Sequence, residues 1–257
     1  MLPKSLKPKK NYQLVRLGEK YDGGYLVDLN SIHKSEFLIS GGIFYDFKFE
    51  QDYLNLSDNK QIYCYDHMIN PYIYLIKWIL ILFKRLIFFE KLNRLKKSIR
   101  NILKPIKFLR FIKEKRVNYY KIGIGNEGKN FYSLKKIVSK ISNNKVFFLK
   151  IDIEGDEYGI LNQILEYSEN LSGLVIEFHN VEKNIHLIED FIKSFKLELI
   201  YIHVNNVSKL DTNGLPSIIE MSFSKFAKTS DNLAFRKHEL DFPNNPYLSN
   251  IDLTFQD

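Results

Sequence analysis

The densest chemistry in this chain lies in Lys150-Ile-Asp152-Ile-Glu154-Gly155-Asp156-Glu157, a run of charge in an otherwise apolar neighbourhood. Successive residues of a strand point to opposite faces, so Lys150, Asp152 and Glu154 are expected on one face. A buried sheet does not accept three charges there without compensation, and the pattern predicts a polar cleft. Further along stand Glu177-Phe-His179-Asn180, His203-Val-Asn205-Asn206 and Glu220. A neutral imidazole can take a proton near neutral pH, so His179 could be a base as well as a structural histidine. Upstream, Gly41-Gly42 removes two Cβ atoms where backbone can approach a ligand. Asp66 can accept hydrogen bonds from two vicinal ribose hydroxyls. Each has a plainer alternative: a simple turn at the glycines, a helix cap at Asp66, a hydrogen-bonded structural role for His179.

The elements that would position these residues alternate. Strand-length apolar runs occur at Glu36 to Ser40, Gln61 to Asp66, Val117 to Ile124, Lys145 to Ile153, Gly173 to His179, Leu197 to Val204 and Ser217 to Ser224. Helical stretches separate several of them, at Ser133 to Ile141, Glu157 to Leu165 and Asn184 to Phe195. This predicts an α/β fold, a doubly wound seven-stranded sheet in one domain over residues 1 to 257, with a helical insertion at about 72 to 116 between the second and third strands. In such sheets ligands bind outside the carboxyl ends of the strands, where the strand order reverses. Gly123-Ile-Gly125-Asn-Glu-Gly128 spells the glycine spacing of dinucleotide-binding proteins. That fingerprint belongs in the first βα turn, and here two strands precede it. The better register puts a nucleotide at Gly41 and Asp66, leaving a nicotinamide-dependent oxidoreductase as an alternative.

The net charge of +8 is unevenly spread: Tyr74 to Arg116 holds fourteen Lys or Arg against two acidic residues, Glu90 and Glu114. The segment opens with an apolar run, Tyr72 to Phe83, broken by Lys77 and too short to span a bilayer, which needs about 20 apolar residues. Beyond it Leu92, Leu95, Ile99, Ile102, Leu103 and Ile106 recur at helical spacing as one apolar face, and Pro105 is expected to kink or divide the helix. With its single cysteine, Cys64, the chain has no disulfide framework, and that thiol is expected to be buried. No apolar segment follows the charged N-terminus, so a cytoplasmic location is expected. The tail after about Lys225, rich in Asn and Pro, is expected to wrap the surface as irregular structure.

These residues resemble the FkbM-type methyltransferases, within the class I S-adenosylmethionine-dependent enzymes. The resemblance rests on Arg16-Leu-Gly-Glu-Lys-Tyr-Asp22-Gly23-Gly24-Tyr25, Phe49-Glu50, the Lys150 to Glu157 run, Glu177-Phe-His179, His203-Val-Asn205-Asn206 and Pro216-Ser-Ile-Ile-Glu220. The first glycine turn lacks the fuller glycine-rich pattern of many such enzymes. The resemblance implies O-methylation of a sugar or polyketide-like hydroxyl, here a sugar, nucleotide-linked, in surface polysaccharide synthesis. It implies cofactor contacts from Asp22, Gly24, Tyr25, Gly41, Gly42, Asp66, Gly125, Asp152 and Glu154. Substrate contacts would come from Lys150, Glu154, Glu177, Asn205 and Asn206, and catalysis from His179, Asp152 and His203. S-adenosylmethionine is the expected cofactor, and a divalent metal is possible but not expected. The basic insertion is expected to cap the site mouth and favour an anionic acceptor. The competing reading is a membrane-surface or nucleic-acid-binding protein that uses 72 to 116, with peripheral membrane contact the stronger form, since nucleic acid is not an expected partner where the rest of the chain is net acidic.

Overall fold

The protein is described here from a computed structural model covering residues 1–57, 59–88, 91–142, 144–231 and 233–256. Glu90, one of the two acidic residues in the basic stretch, lies outside the described residues. Seven strands form one sheet: β1 (Phe37–Gly41), β2 (Gln61–Tyr65), β3 (Val117–Tyr120), β4 (Phe147–Ile151), β5 (Leu171–His179), β6 (Glu198–Val204) and β7 (Ile218–Ser224). Their order is β3-β2-β1-β4-β5-β7-β6. Neighbours from β3 through β5 run parallel, and β7 is antiparallel to both β5 and β6. The order reverses between β1 and β4, so a ligand crevice is expected above that pair. All seven predicted strands are present.

The central strands read as unbroken apolar runs because both faces are covered. Phe37 and Ile39 of β1, with Phe147, Leu149 and Ile151 of β4, enter one core. Leu38, Ile62, Cys64 and Phe148, whose side chains point the other way, enter a second. The first core is closed by α5 (Leu134–Ile141), α6 (Leu161–Glu166) and α7 (Val181–Ser194). The second is closed by α1 (Leu29–Lys34), α2 (Lys48–Asn55) and the far end of α4 (Leu92–Phe111). Cys64 is buried as expected.

Three predictions change in detail. The third strand stops at Tyr120, and Gly123–Ile124 pairs separately with Phe131–Tyr132. Helix α5 begins only at Leu134, capped by Ser133, so no helix opens on Gly128 as a dinucleotide fingerprint requires. In the basic segment, α3 (Pro71–Ile87) and α4 are divided before Leu92, and α4 runs on through Pro105. The buried line of α4 is Ser98, Asn101, Pro105, Phe108 and Phe111, while Leu92, Ile99 and Leu103 stay exposed. The residues it meets explain this: Phe108 packs on Tyr45, Phe47 and Tyr119, and Phe111 stacks on Phe47.

The tail behaves as expected. Beyond Lys225 the described residues form one short strand, Thr229–Asp231, paired with Asn11–Tyr12. A short hairpin, Val15–Leu17 with Tyr25–Val27, carries the Asp22-Gly23-Gly24 turn toward the carboxyl edge of the sheet.

Candidate active site

A cleft of about 570 Å³ opens where the strand order reverses, within the roughly 300–1,000 Å³ range of small-molecule sites. Its walls come from the loops after β1 (Gly42, Phe44, Asp46), β2 (Asp66, His67, Met68) and β4 (Asp152, Glu154, Asp156), and from Asp22 of the hairpin turn. Among the described residues, the non-glycine residues with positive φ are Phe44, Glu154 and Asn180. They follow β1, β4 and β5, so backbone strain is concentrated at this edge of the sheet, as is common at ligand sites.

Gly42 is required by the protein's own packing. Its φ is +75°, and a Cβ there would collide with the Asp152 carbonyl. The glycine lets the β1 and β4 loops meet at the floor of the cleft. Gly41 packs against Ile124 and Ile151, and Gly125 against Phe131. Gly24 has no room for a Cβ between the Glu19 carbonyl and the Arg16 guanidinium. These three shape the walls without lining the cleft.

Asp66 is nearly buried and already engaged. Its Oδ2 accepts from the Phe44 N–H at 2.9 Å, and its Oδ1 from the Met68 and Ile69 N–H groups at 2.7 and 3.2 Å. Three bonds leave part of the lone-pair capacity of a carboxylate for a ligand. Asp46, which the sequence reading missed, also lines the cleft; burial, set against a bond from the Lys48 N–H, lifts its carboxyl to about 6. Nothing in its local sequence distinguishes it from any loop aspartate.

Strand β4 ends at Ile151, so the expected alternation of three charges applies only to Lys150; Asp152 and Glu154 sit in the loop beyond. Lys150 is 4% exposed and pairs with the fully buried Glu50 at 3.3 Å, whose other bond comes from the Ser40 hydroxyl at 2.5 Å. Its ammonium also lies over the Tyr25 and Phe49 rings. Lys150 is thus bound within the protein at the cleft floor, not held free for a substrate. Tyr25 Oη lies 3.3 Å from Asp152 Oδ2 and 3.4 Å from Glu177 Oε2.

His179 sits at the end of β5. Its Nδ1 is 3.0 Å from Oε1 of the fully buried Glu157, and its Nε2 is 3.6 Å from both Glu154 Oε2 and Glu177 Oε1. Glu157 is fixed by the Ile153 and Gly155 N–H groups. That bond makes Nδ1 the protonated nitrogen and aims Nε2 at the carboxylates. Burial pulls the imidazole pKa down, but the Glu157 bond and the charges of Glu157, Asp152 and Glu154 outweigh it and raise it. Burial lifts Asp152 to about 6 against the pull of Lys150 and His179. Glu177 is raised well above the usual carboxyl range by burial and by Asp152, Glu220, Asp22 and Glu154. Asp152, Glu154 and His179 bring one ligand atom each within 4.8 Å of one another, a set that can also hold a divalent cation.

The remaining expected residues lie apart. His203 has both ring nitrogens committed, Nδ1 to Asp241 at 2.6 Å and Nε2 to Asn244 Oδ1 at 2.7 Å. Asn206 donates to the Asn245, Leu248 and Ser249 carbonyls and accepts from the Asn245 N–H. Both fasten the tail to the sheet. Asn205 reaches Glu177 Oε1 at 3.4 Å and accepts from the Val207 N–H. Among the described residues, none of 72 to 116 lines the cleft.

The sheet order defines a doubly wound α/β protein, with an acidic crevice at the reversal point on its carboxyl edge. No family model matches the chain, and no curated protein does. The solved structures it resembles include a Streptococcus pneumoniae protein described as a tRNA (m1A22) methyltransferase in complex with S-adenosyl-L-methionine, 8% identical over 76% of this chain and 69% of that one, with a TM-score of 0.40. Another is precorrin-6y C5,15-methyltransferase of Geobacter metallireducens, 10% identical over 76% and 84% with a TM-score of 0.36. A third is TYW2 of M. jannaschii with AdoMet, 11% identical over 85% and 88%, at 0.35. At these scores the functional reading rests on the chain's own cleft.

Proposed function

We propose that this chain is an S-adenosylmethionine-dependent O-methyltransferase acting on a sugar hydroxyl. The observation that carries the reading is the charge of the cleft: Asp22, Asp46, Asp66, Asp152, Glu154 and Asp156 line it, and its one lysine is neutralised by Glu50. Such walls suit a cationic ligand and oppose the pyrophosphate of a nicotinamide dinucleotide. S-adenosylmethionine, when bound, supplies a methyl group made electrophilic by a sulfonium, and carries an ammonium as well. Asp66 and the Gly42 to Phe44 backbone would hold its nucleoside end, with Asp152, Asp46 and Asp22 facing the positive groups.

The acceptor must lose a proton as its oxygen is alkylated. His179, oriented by Glu157, would take that proton at Nε2. Asp152 and Tyr25 would position the acceptor hydroxyl beside it. The same acidic walls set a limit on the substrate: they would accept a neutral sugar ring more readily than the phosphates of a nucleotide-linked sugar, which would have to stay outside. Calorimetry with S-adenosylhomocysteine and with NADH tests the assignment. Binding of the first alone is expected, and binding of NADH alone would overturn it.

A further inference from the structure

Helix α3 has no buried residue along its 17 positions. It packs mainly on α4: Tyr74, Trp78, Ile81 and Leu82 are half-buried. The other side carries Ile73, Ile76, Ile79, Leu80, Phe83 and Ile87, all exposed, at intervals of three and four residues. They form one continuous apolar stripe, flanked by the exposed Lys77 and Lys84. A stripe of this kind on a soluble surface marks an interaction site. No helix among the described residues is long and apolar enough to cross a membrane.

The occupant follows from charge. The α3-α4 hairpin and the residues up to Arg116 hold fourteen basic and two acidic residues. A second copy of this chain, docked through the same face in a twofold contact, would bring two equal positive surfaces together. Nucleic acid would satisfy the charge and leave the isoleucines, leucine and phenylalanine in water. An anionic bilayer surface satisfies both: the apolar stripe enters the boundary between headgroups and acyl chains while Lys and Arg meet lipid phosphates. We propose that the hairpin docks this protein onto anionic lipid surfaces.

The position of the hairpin relates docking to the cleft. Tyr74, in the first turn of α3, lies 4.5 Å ring to ring from Tyr45, and Tyr45 lies 4.8 Å from Phe44, which lines the cleft. The first turn of α3 is thus two ring contacts from the cleft rim.

The test is flotation of the full chain with phosphatidylcholine vesicles, with and without phosphatidylglycerol, beside sedimentation of the protein alone. Co-flotation only with phosphatidylglycerol, reduced by salt, is expected. Ile76→Glu with Phe83→Glu, and separately Lys96→Glu with Lys97→Glu, should each weaken vesicle binding by at least about tenfold. All four side chains are exposed, so an unchanged melting temperature is the folding control. Equal binding to both vesicle types, or binding indifferent to both pairs of substitutions, would overturn the proposal. So would self-association abolished by Phe83→Glu, or RNA binding without flotation.

Discussion

His179 Nδ1 and Glu157 Oε1 lie 3.0 Å apart, and Glu157 has no exposure to solvent. A buried carboxylate facing an imidazole fixes both the ring orientation and the tautomer, so the two residues are expected to act as a unit. Replacing His179 by Ala should lower turnover by about a hundredfold or more while leaving S-adenosylhomocysteine affinity nearly unchanged. Glu157→Gln should lower kcat with little change in KM, and adding it to His179→Ala should cost little more. Additive losses would show that Glu157 only supports the fold.

Asp66 is expected to serve structure and ligand together. Asp66→Ala leaves three backbone N–H groups without their acceptor, so a stability loss of at least about 1–3 kcal/mol accompanies weaker cofactor binding. Denaturant unfolding and calorimetry on the same variant separate the two effects. Full stability with lost binding would mean that the Phe44 and Met68 N–H groups find other partners.

Two glycines give opposite outcomes. Gly42→Ala forces a Cβ into the Asp152 carbonyl at a φ of +75°, and both stability and cofactor binding should fall. Gly128 has only the Asn126 carbonyl within reach of an added Cβ, at 4.0 Å, so Gly128→Ala should change stability by no more than about 0.5 kcal/mol and leave cofactor binding intact. Loss of binding in Gly128→Ala would return the nucleotide to the glycine-spaced loop.

The tail clamp gives a pH dependence. Burial alone would lower the pKa of His203, but Glu220 of β7 and Asp241 of the tail, with Asn244 bonding the ring, raise it to about 9. Asp241, bonded to His203 and 3.7 Å from Lys237, is lowered despite burial. A raised histidine contributes stability that is complete below its unfolded value near 6.5 and is lost as pH rises through about 9. The depressed aspartate contributes above its unfolded value and loses its contribution as pH falls through its folded one. Stability should therefore decline between about pH 6.5 and 9 by roughly 2–4 kcal/mol, and His203→Ala should flatten that limb. An unchanged slope in His203→Ala would place the titration elsewhere.

Periodicity and composition alone determined the seven strands, the three helices between them, the buried Cys64, the irregular tail and the helical character of 72 to 116. These features depend on which residues can be buried within one element, and neighbouring residues carry that information. The run from Lys150 to Glu157 was also legible as the centre of a polar cleft. Only the tertiary structure decided what each of its charges does. Lys150 meets Glu50 from a helix a hundred positions earlier, and Glu157 meets His179 across a parallel strand connection. His203 and Asn206, which looked like site residues at a strand end, hold a tail that the chain brings back some forty residues later. The buried face of α4 was likewise settled by its partners, since Phe47 and Tyr119 accept Phe108 and leave Leu92, Ile99 and Leu103 in solvent. Helical spacing shows that a face exists, but the burial of that face depends on surfaces distant in the chain.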